Sequence, residues 1–299
     1  MTRILVTGAT GFIGRRLVPA LLNEGHDVRA MTRHPETYDG PGDPVAGDVH
    51  DGDSLVGPLE GVAVAYYLVH SLDDADFERK DADAAKAFAT AAARQGVQQI
   101  VYMGGLGEDG QEMSAHLRSR REVEGLLGST GIPVTVLRAA IVVGHGGISW
   151  ELTRQLVKNL PAMVVPKWAS TRTQPIAIDD VVRYLAGVCG RDEAIGRVFE
   201  IGGPDQLTYV DMLRVAAEID TGRKVPIIQV PVLTPRLSSY WLALVTDVDV
   251  TTGRNLIDSM GTEVGVTEHS IRDVVPGEPL TYEQSVRRAL DERARESSA

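Results

Sequence analysis

Three glycines, Gly8, Gly11 and Gly14, stand at the spacing G-x-x-G-x-x-G within TGATGFIG, directly after the apolar run Ile4-Leu5-Val6. Glycine lets a turn bring its backbone close to a ligand, and a helix starting there offers N–H groups and a positive dipole end to an anion. A diphosphate, as in a dinucleotide, is the ligand this suits, although the spacing differs from the general G-x-G-x-x-G. Other chemistries leave no trace. The seven histidines show no H-x-x-x-H or H-E-x-x-H spacing for a metal, and no G-x-S-x-G elbow occurs. The lone Cys189 follows the apolar stretch 182–188 and reads as a core thiol rather than a nucleophile.

The elements that must hold such a loop can be read from the same chain. Ile4–Thr7 predicts a buried strand, and Phe12–Glu24 a helix that Gly25 stops. Further strands are expected at His26–Thr32, Val45–Gly47, Val62–Val69, Val97–Met103 and Val134–Val143, with helices at Phe77–Gln95 and Ser114–Leu127. Near-continuous apolar strands alternating with helices predict an α/β chain: a Rossmann-type, doubly wound parallel sheet. Its ligands bind beyond the carboxyl ends of the strands. The second half, punctuated by prolines, is less regular. Strands are expected there at Ile176–Ile178 and Val198–Ile201, and helices at Asp179–Cys189, capped by Asp179, and Tyr209–Ile219. Residues 1–145 are thus expected to form the dinucleotide-binding core. Residues 146–299 form a smaller, irregular substrate-side lobe with segments returning to the core, in one integrated domain. The apolar run Tyr240–Val245 reads as core packing.

Composition narrows the partners. The 299 residues are 43% hydrophobic and carry a net charge of -11 without a Lys/Arg run, which disfavours nucleic acid and anionic membrane surfaces. A single cysteine excludes an internal disulfide and fits a reducing compartment. The first strand begins at once, leaving no room for a signal peptide, and no apolar run has the length of a membrane span. The expectation is a cytoplasmic monomer or homodimer acting on a small molecule.

TGATGFIG, YLVHS after the fourth strand, LRAAIVVG on the sixth and QPIAIDDV beyond it resemble the extended and atypical short-chain dehydrogenase/reductases, from Thr2 to Thr208 and more weakly onward. The resemblance implies a Rossmann fold that binds NAD(H) or NADP(H). It implies Gly8, Thr10, Gly11, Phe12 and Ile13 along the pyrophosphate, and Asp48 and Val49 at the adenine. Leu68, Val69 and His70 would run past the cofactor, with Met103 and Gly104 near the nicotinamide. A carboxylate after the second strand would accept from the ribose of NAD; this chain has Met31-Thr32-Arg33-His34. The forked, permanent cation of Arg33 suits a 2′-phosphate, so NADP(H) is expected, with NAD(H) as the alternative.

Active members of that family carry Ser/Thr at the end of strand five and Tyr-x-x-x-Lys on the next helix. Here the strand ends Met103-Gly104-Gly105, and the helix reads His116-Leu117-Arg118-Ser119-Arg120. His116 stands in the tyrosine position and Arg120 in the lysine position, with Ser119 and Glu124 also in register. Residues four apart share a helix face, so both could reach the nicotinamide. His116 could donate a proton, and Arg120 could hold the ribose. Arg120 never deprotonates, and its charge pushes His116 toward the neutral form unless substrate or Glu124 offsets it. An ordinary surface histidine is the alternative reading. Tyr66 and Tyr67 are expected to pack on opposite faces of strand four, with His70 nearer the site. Trp150, Trp168 and Arg172 would either wall a planar or anionic substrate or pack the lobe. The function expected is an NADP(H)-dependent oxidoreductase acting on a carbonyl or quinone-like molecule. The alternative is an NADP(H)-binding regulator or assembly subunit without turnover, resembling nitrogen-repression regulators and respiratory-complex accessory subunits.

Overall fold

Short runs of branched apolar residues in the first half become parallel strands: β1 (Arg3–Val6), β2 (Asp27–Thr32), β3 (Asp43–Ala46), β4 (Val64–Tyr67), β5 (Gln99–Gly105) and β6 (Val134–Ala139). The computed structural model describes residues 1–71, 74, 76–107, 113–160, 162–230 and 260–298; the run Tyr240–Val245 lies outside them. The connecting helices are α1 (Gly14–Asn23), α2 (Val56–Leu59), α3 (Phe77–Arg94) and α4 (Ala115–Leu127). In the second half come β7 (Val142–Val143), α5 (Ile148–Asn159), β8 (Met163–Pro166), β9 (Arg172–Thr173), β10 (Ile176–Ala177) and α6 (Ile178–Gly187). They are followed by β11 (Val198–Ile201), β12 (Leu207–Thr208), α7 (Tyr209–Thr221), β13 (Ile227–Val230), α8 (Ile271–Val274) and α9 (Tyr282–Glu296).

The main sheet has the order β3-β2-β1-β4-β5-β6-β11, all parallel. This is the doubly wound Rossmann architecture expected. Its chain order reverses between β1 and β4, where a crevice must open. Alternation decides which layer each side chain joins. Ile4, Val6 and Tyr66 join the core shared with α1 and α6, while Leu5 and Tyr67 join the one under α3 and α4. Both tyrosines are fully buried, and the Tyr66 hydroxyl donates to the Leu185 carbonyl at 2.8 Å.

Three expectations need correction. Strand five continues past Met103 to Gly105, because the ladder with β6 extends to Gly105 opposite Ala139. Strand six stops at Ala139, not Val143; the chain leaves the sheet, and Val142–Val143 pair with Ile176–Ala177. Asp179 does not cap α6. Ala177 is the N-cap, and Asp179 and Asp180 lie in the first turn, where carboxylates favour the helix dipole.

The remaining elements surround a third core that contains Trp150, Leu156, Val210 and Tyr282. β8 pairs with β13 and β9 with β12. Helix α9 starts at a capping box, Thr281 with Gln284. It reaches back to α1 through Arg16 and Glu292, 2.5 Å apart. The imidazole of His145 sits between Glu151 at 3.1 Å and Glu296 of α9 at 2.9 Å. Among the described residues, no helix is long and apolar enough to cross a membrane.

The start of α1 is set by contact rather than by a side-chain cap. A Cβ on Gly14 would stand 2.2 Å from the Gly8 carbonyl oxygen and 2.8 Å from the Ala9 Cα. Gly14→Ala must therefore push loop and helix apart, at a cost of about 2–3 kcal/mol. We expect a Tm lower by roughly 3–5 °C in a thermal melt, together with weakened dinucleotide binding.

Candidate cofactor cleft and active site

The carboxyl ends of β1 to β4 open onto a cleft of about 930 Å³. That volume lies within the range of small-molecule and cofactor sites, roughly 300–1,000 Å³. Gly8 and Thr10 come from the turn after β1, and Gly8 adopts φ +62°, a conformation that a side chain would strain. Thr32, Arg33 and His34 follow β2, Asp48 and Val49 follow β3, and Val69 and His70 follow β4. Seven of the expected cofactor residues thus meet in one cleft: Gly8, Thr10, Arg33, Asp48, Val49, Val69 and His70.

The others are placed differently. The Gly11 N–H closes the turn by donating to the Gly8 carbonyl at 2.9 Å, and Ile13 is the N-cap of α1. The Leu68 carbonyl would lie 3.3 Å from a Cβ on Gly8, which makes it the floor of the loop. Phe12 turns to a neighbouring cavity. Met103 and Gly104 line neither space; Gly105 does, because the strand is longer than expected.

The charge of the cleft follows from its rim. Arg33 is exposed, and after β2 the first carboxylate is Glu36, which faces His34 at 3.4 Å. Helix α3 adds Arg79, paired with Asp76 at 2.5 Å, and Lys80, paired with Asp74. Those two cations lay outside the sequence reading, since nothing in an exposed helical charge run marks which members face a cleft. Asp48 is held by its own turn, its carboxylate accepting from the His50 N–H at 2.9 Å.

His70 also borders a second cavity of about 210 Å³. His116 and Arg120 of α4 both line it, as does Phe12. Its remaining wall is largely aliphatic, from Leu106, Ile141, Val142, Ile148 and Val264. The aromatic wall expected of Trp150 is absent. That ring is 1% exposed, because α5 turns it into the third core. Arg172 is exposed and off the cavity, and Trp168 belongs to the turn Lys167–Ser170.

The electrostatics of α4 follow from this packing. Burial and then the Arg120 charge push the His116 imidazole down to about 3. His70 has its ring open to the cleft, yet the surrounding walls, then Arg120 and His116, hold it well below the ordinary imidazole range. Glu124 does not offset this effect. It is committed to Arg138 at 2.6 Å and Arg121 at 3.2 Å.

A buried carboxylate completes the site. Asp81 of α3 accepts from the Ser71 N–H at 2.8 Å and lies 3.5 Å from the Ser119 hydroxyl. Burial raises its pKa against those hydrogen bonds and the attraction of Arg120. Sequence reasoning passed over it, although a signal existed. Asp81 falls in the apolar register of Ala85, Phe88 and Ala92, where a charge is out of place.

A family model described as NAD(P)H-binding matches residues 8–162. The chain belongs to this NAD(P)H-binding family. An uncharacterized protein of Mycobacterium tuberculosis is 27% identical over 239 residues, 80% of this chain; the chain spans only 25% of that protein's length. A ceramide reductase of Caulobacter vibrioides is 28% identical over 237 residues, 76% of this chain and 73% of that protein. The fold matches the crystal structure of Citrobacter sp. triphenylmethane reductase complexed with NADP(H), with a TM-score of 0.76 at 18% identity. The match covers 96% of this chain and 99% of that one.

A pKa of about 3 keeps His116 neutral in the folded protein at any physiological pH. The unfolded chain takes up the proton first, near 6.5, so the stability contributed by this group is present above that pH and declines as pH falls toward 3. In an NMR titration between pH 8 and 4.5, the His116 ring signals should stay at their neutral positions. Arg120→Met should move the midpoint upward.

Proposed function

We propose that the protein is an NADP(H)-dependent oxidoreductase that moves hydride to or from a carbonyl or quinone-like small molecule without the usual tyrosine and lysine. The observation that carries this reading is a shared wall. His70 lines both the cleft that holds the glycine turn and the cavity where His116 and Arg120 stand. A bound nicotinamide supplies or accepts the hydride. The residues present fit the rest of such a cofactor: the turn at Gly8 and Thr10 would take the diphosphate, and Arg33 the 2′-phosphate. No carboxylate immediately after β2 opposes that phosphate.

The side chains of α4 then have defined tasks. Arg120 is a permanent cation that would hold the ribose or the negative charge growing on a carbonyl oxygen. His116, being neutral, would give an N–H to that oxygen as a hydrogen-bond donor rather than as an imidazolium acid. The aliphatic wall lowers the polarity around both interactions and so strengthens them. The proton that completes an alcohol product would come from solvent.

Titration should give tighter binding of NADPH than of NADH. Arg33→Gln should weaken NADPH by about tenfold or more, the worth of a charge-assisted hydrogen bond, and leave NADH within about twofold. NADPH oxidation against a panel of ketones, aldehydes and quinones should be measurable. His116→Ala should lower its kcat about 10²-fold with NADPH affinity kept. Tight NADPH binding with no oxidation of any panel member would instead favour a nucleotide-binding regulator or assembly subunit.

A further inference from the structure

One ring on the wall of the second cavity is held by groups that hydride transfer leaves idle. Phe12 belongs to the same turn as Gly8 and Thr10, yet it lines the cavity of His116 and Arg120 rather than the cofactor cleft. The far end of the ring is wedged. A Cβ on Gly147 would stand 2.7 Å from the Phe12 Cζ and 2.9 Å from its Cε1, and one on Gly144 would stand 3.2 Å from the Cζ. Two glycines thus form the seat, and the ring has no room to retreat into it.

Arg16, one turn further on in α1, holds the rest of Phe12. Its guanidinium lies over the ring, 5.0 Å from the centroid, and donates to the Phe12 carbonyl at 2.9 Å. It also donates to the His145 carbonyl at 2.8 Å, within the turn closed by the Gly147 N–H on the Gly144 carbonyl. The carboxylate of Glu292 in α9 accepts from the same guanidinium. One cation therefore joins the ring, its glycine seat and α9. Neither Arg16 nor Glu292 lines the cleft or the cavity.

We propose that Phe12 is the specificity-determining wall of the substrate cavity, with Arg16 and Glu292 as its positioning residues. This rests on the reading of that cavity as the substrate end of the site. At about 210 Å³ it is smaller than a typical ligand pocket, roughly 300–1,000 Å³. A carbonyl seated at His116 and Arg120 therefore brings its neighbouring groups against the other walls, and the pinned ring is the one that yields least. The substrate class that follows is a carbonyl flanked by unbranched or flat groups. A quaternary carbon beside the carbonyl is rejected, because bulk forced against a fixed wall is penalised as overpacking is in a core.

The test uses two isomeric methyl ketones, hexan-2-one and 3,3-dimethylbutan-2-one, which differ only in branching beside the carbonyl. Their affinities for the NADP+-saturated protein are measured by ligand-detected NMR. The native protein should prefer the linear isomer by about tenfold. Phe12→Val should bring the ratio below about twofold by tightening binding of the branched isomer, a gain that damage to the fold cannot produce. Arg16→Met should lower the ratio about threefold, the worth of the lost contact over the ring, and Glu292→Gln should lower it in the same direction. A merely structural role for these two residues would weaken both isomers alike and leave the ratio unchanged. That result, equal affinities in the native protein, no binding of either ketone, or a preference that survives Phe12→Val would overturn the proposal. The outcomes also separate it from the reading it rests on. A preference that depends on Phe12 without any NADPH oxidation keeps the wall and removes the oxidoreductase; NADPH oxidation with equal affinities does the reverse.

Discussion

The contact between the start of α1 and the end of β1 governs the geometry of everything nearby. With no side chain at position 14, the helix axis can approach the Gly8 carbonyl closely enough to aim its first turn at the crevice. That crevice exists because the sheet reverses its order between β1 and β4. Each strand of the reversal then delivers its next residues to the same rim: Thr10 after β1, Arg33 after β2, Asp48 after β3 and His70 after β4. A loop of this kind tolerates wide variation beyond it, since the dinucleotide frame is built from backbone rather than from particular side chains.

Charge on α4 tells a different story, in which side-chain identity decides. A lysine in place of Arg120 could share or lose its proton with its surroundings, whereas a guanidinium cannot. Burial at His116, the walls around His70 and this fixed charge hold both imidazoles below their ordinary range. The nearest compensating carboxylate on the helix, Glu124, is already shared between Arg121 and Arg138. Asp81 approaches from α3 instead, and ties the segment after β4 to the same corner through Ser71. The helix that carries His116 and Arg120 is thus embedded in a small network, with one buried acid and one cation near two imidazoles held below their ordinary range.

Much of the fold could be read from the chain because parallel strands are buried on both faces and so write themselves as continuous apolar runs. The alternation of Tyr66 and Tyr67 and the Gly25 stop of α1 were legible for equally local reasons. What escaped depended on long-range pairing. The apolar run from Val134 to Val143 gives no sign that its last residues leave β6 to pair with β10. Trp150 reads equally well as a pocket wall or a core residue until the direction of α5 is known. Asp81 is the exception, visible as a carboxylate in an apolar helical register.

The seventh strand has one more consequence. β11 comes from the second half of the chain, yet it covers the outer edge of β6 along Val136 to Ala139. Until residues 198–201 have been synthesised, the growing sheet presents a row of unsatisfied backbone donors and acceptors at β6, open to pairing with another copy. The nucleotide-binding half therefore leaves one edge of its sheet uncovered until the second half has been made. Its solubility during synthesis depends on residues far downstream, and a fragment cut between the two halves would carry an aggregation-prone edge along with its intact glycine turn.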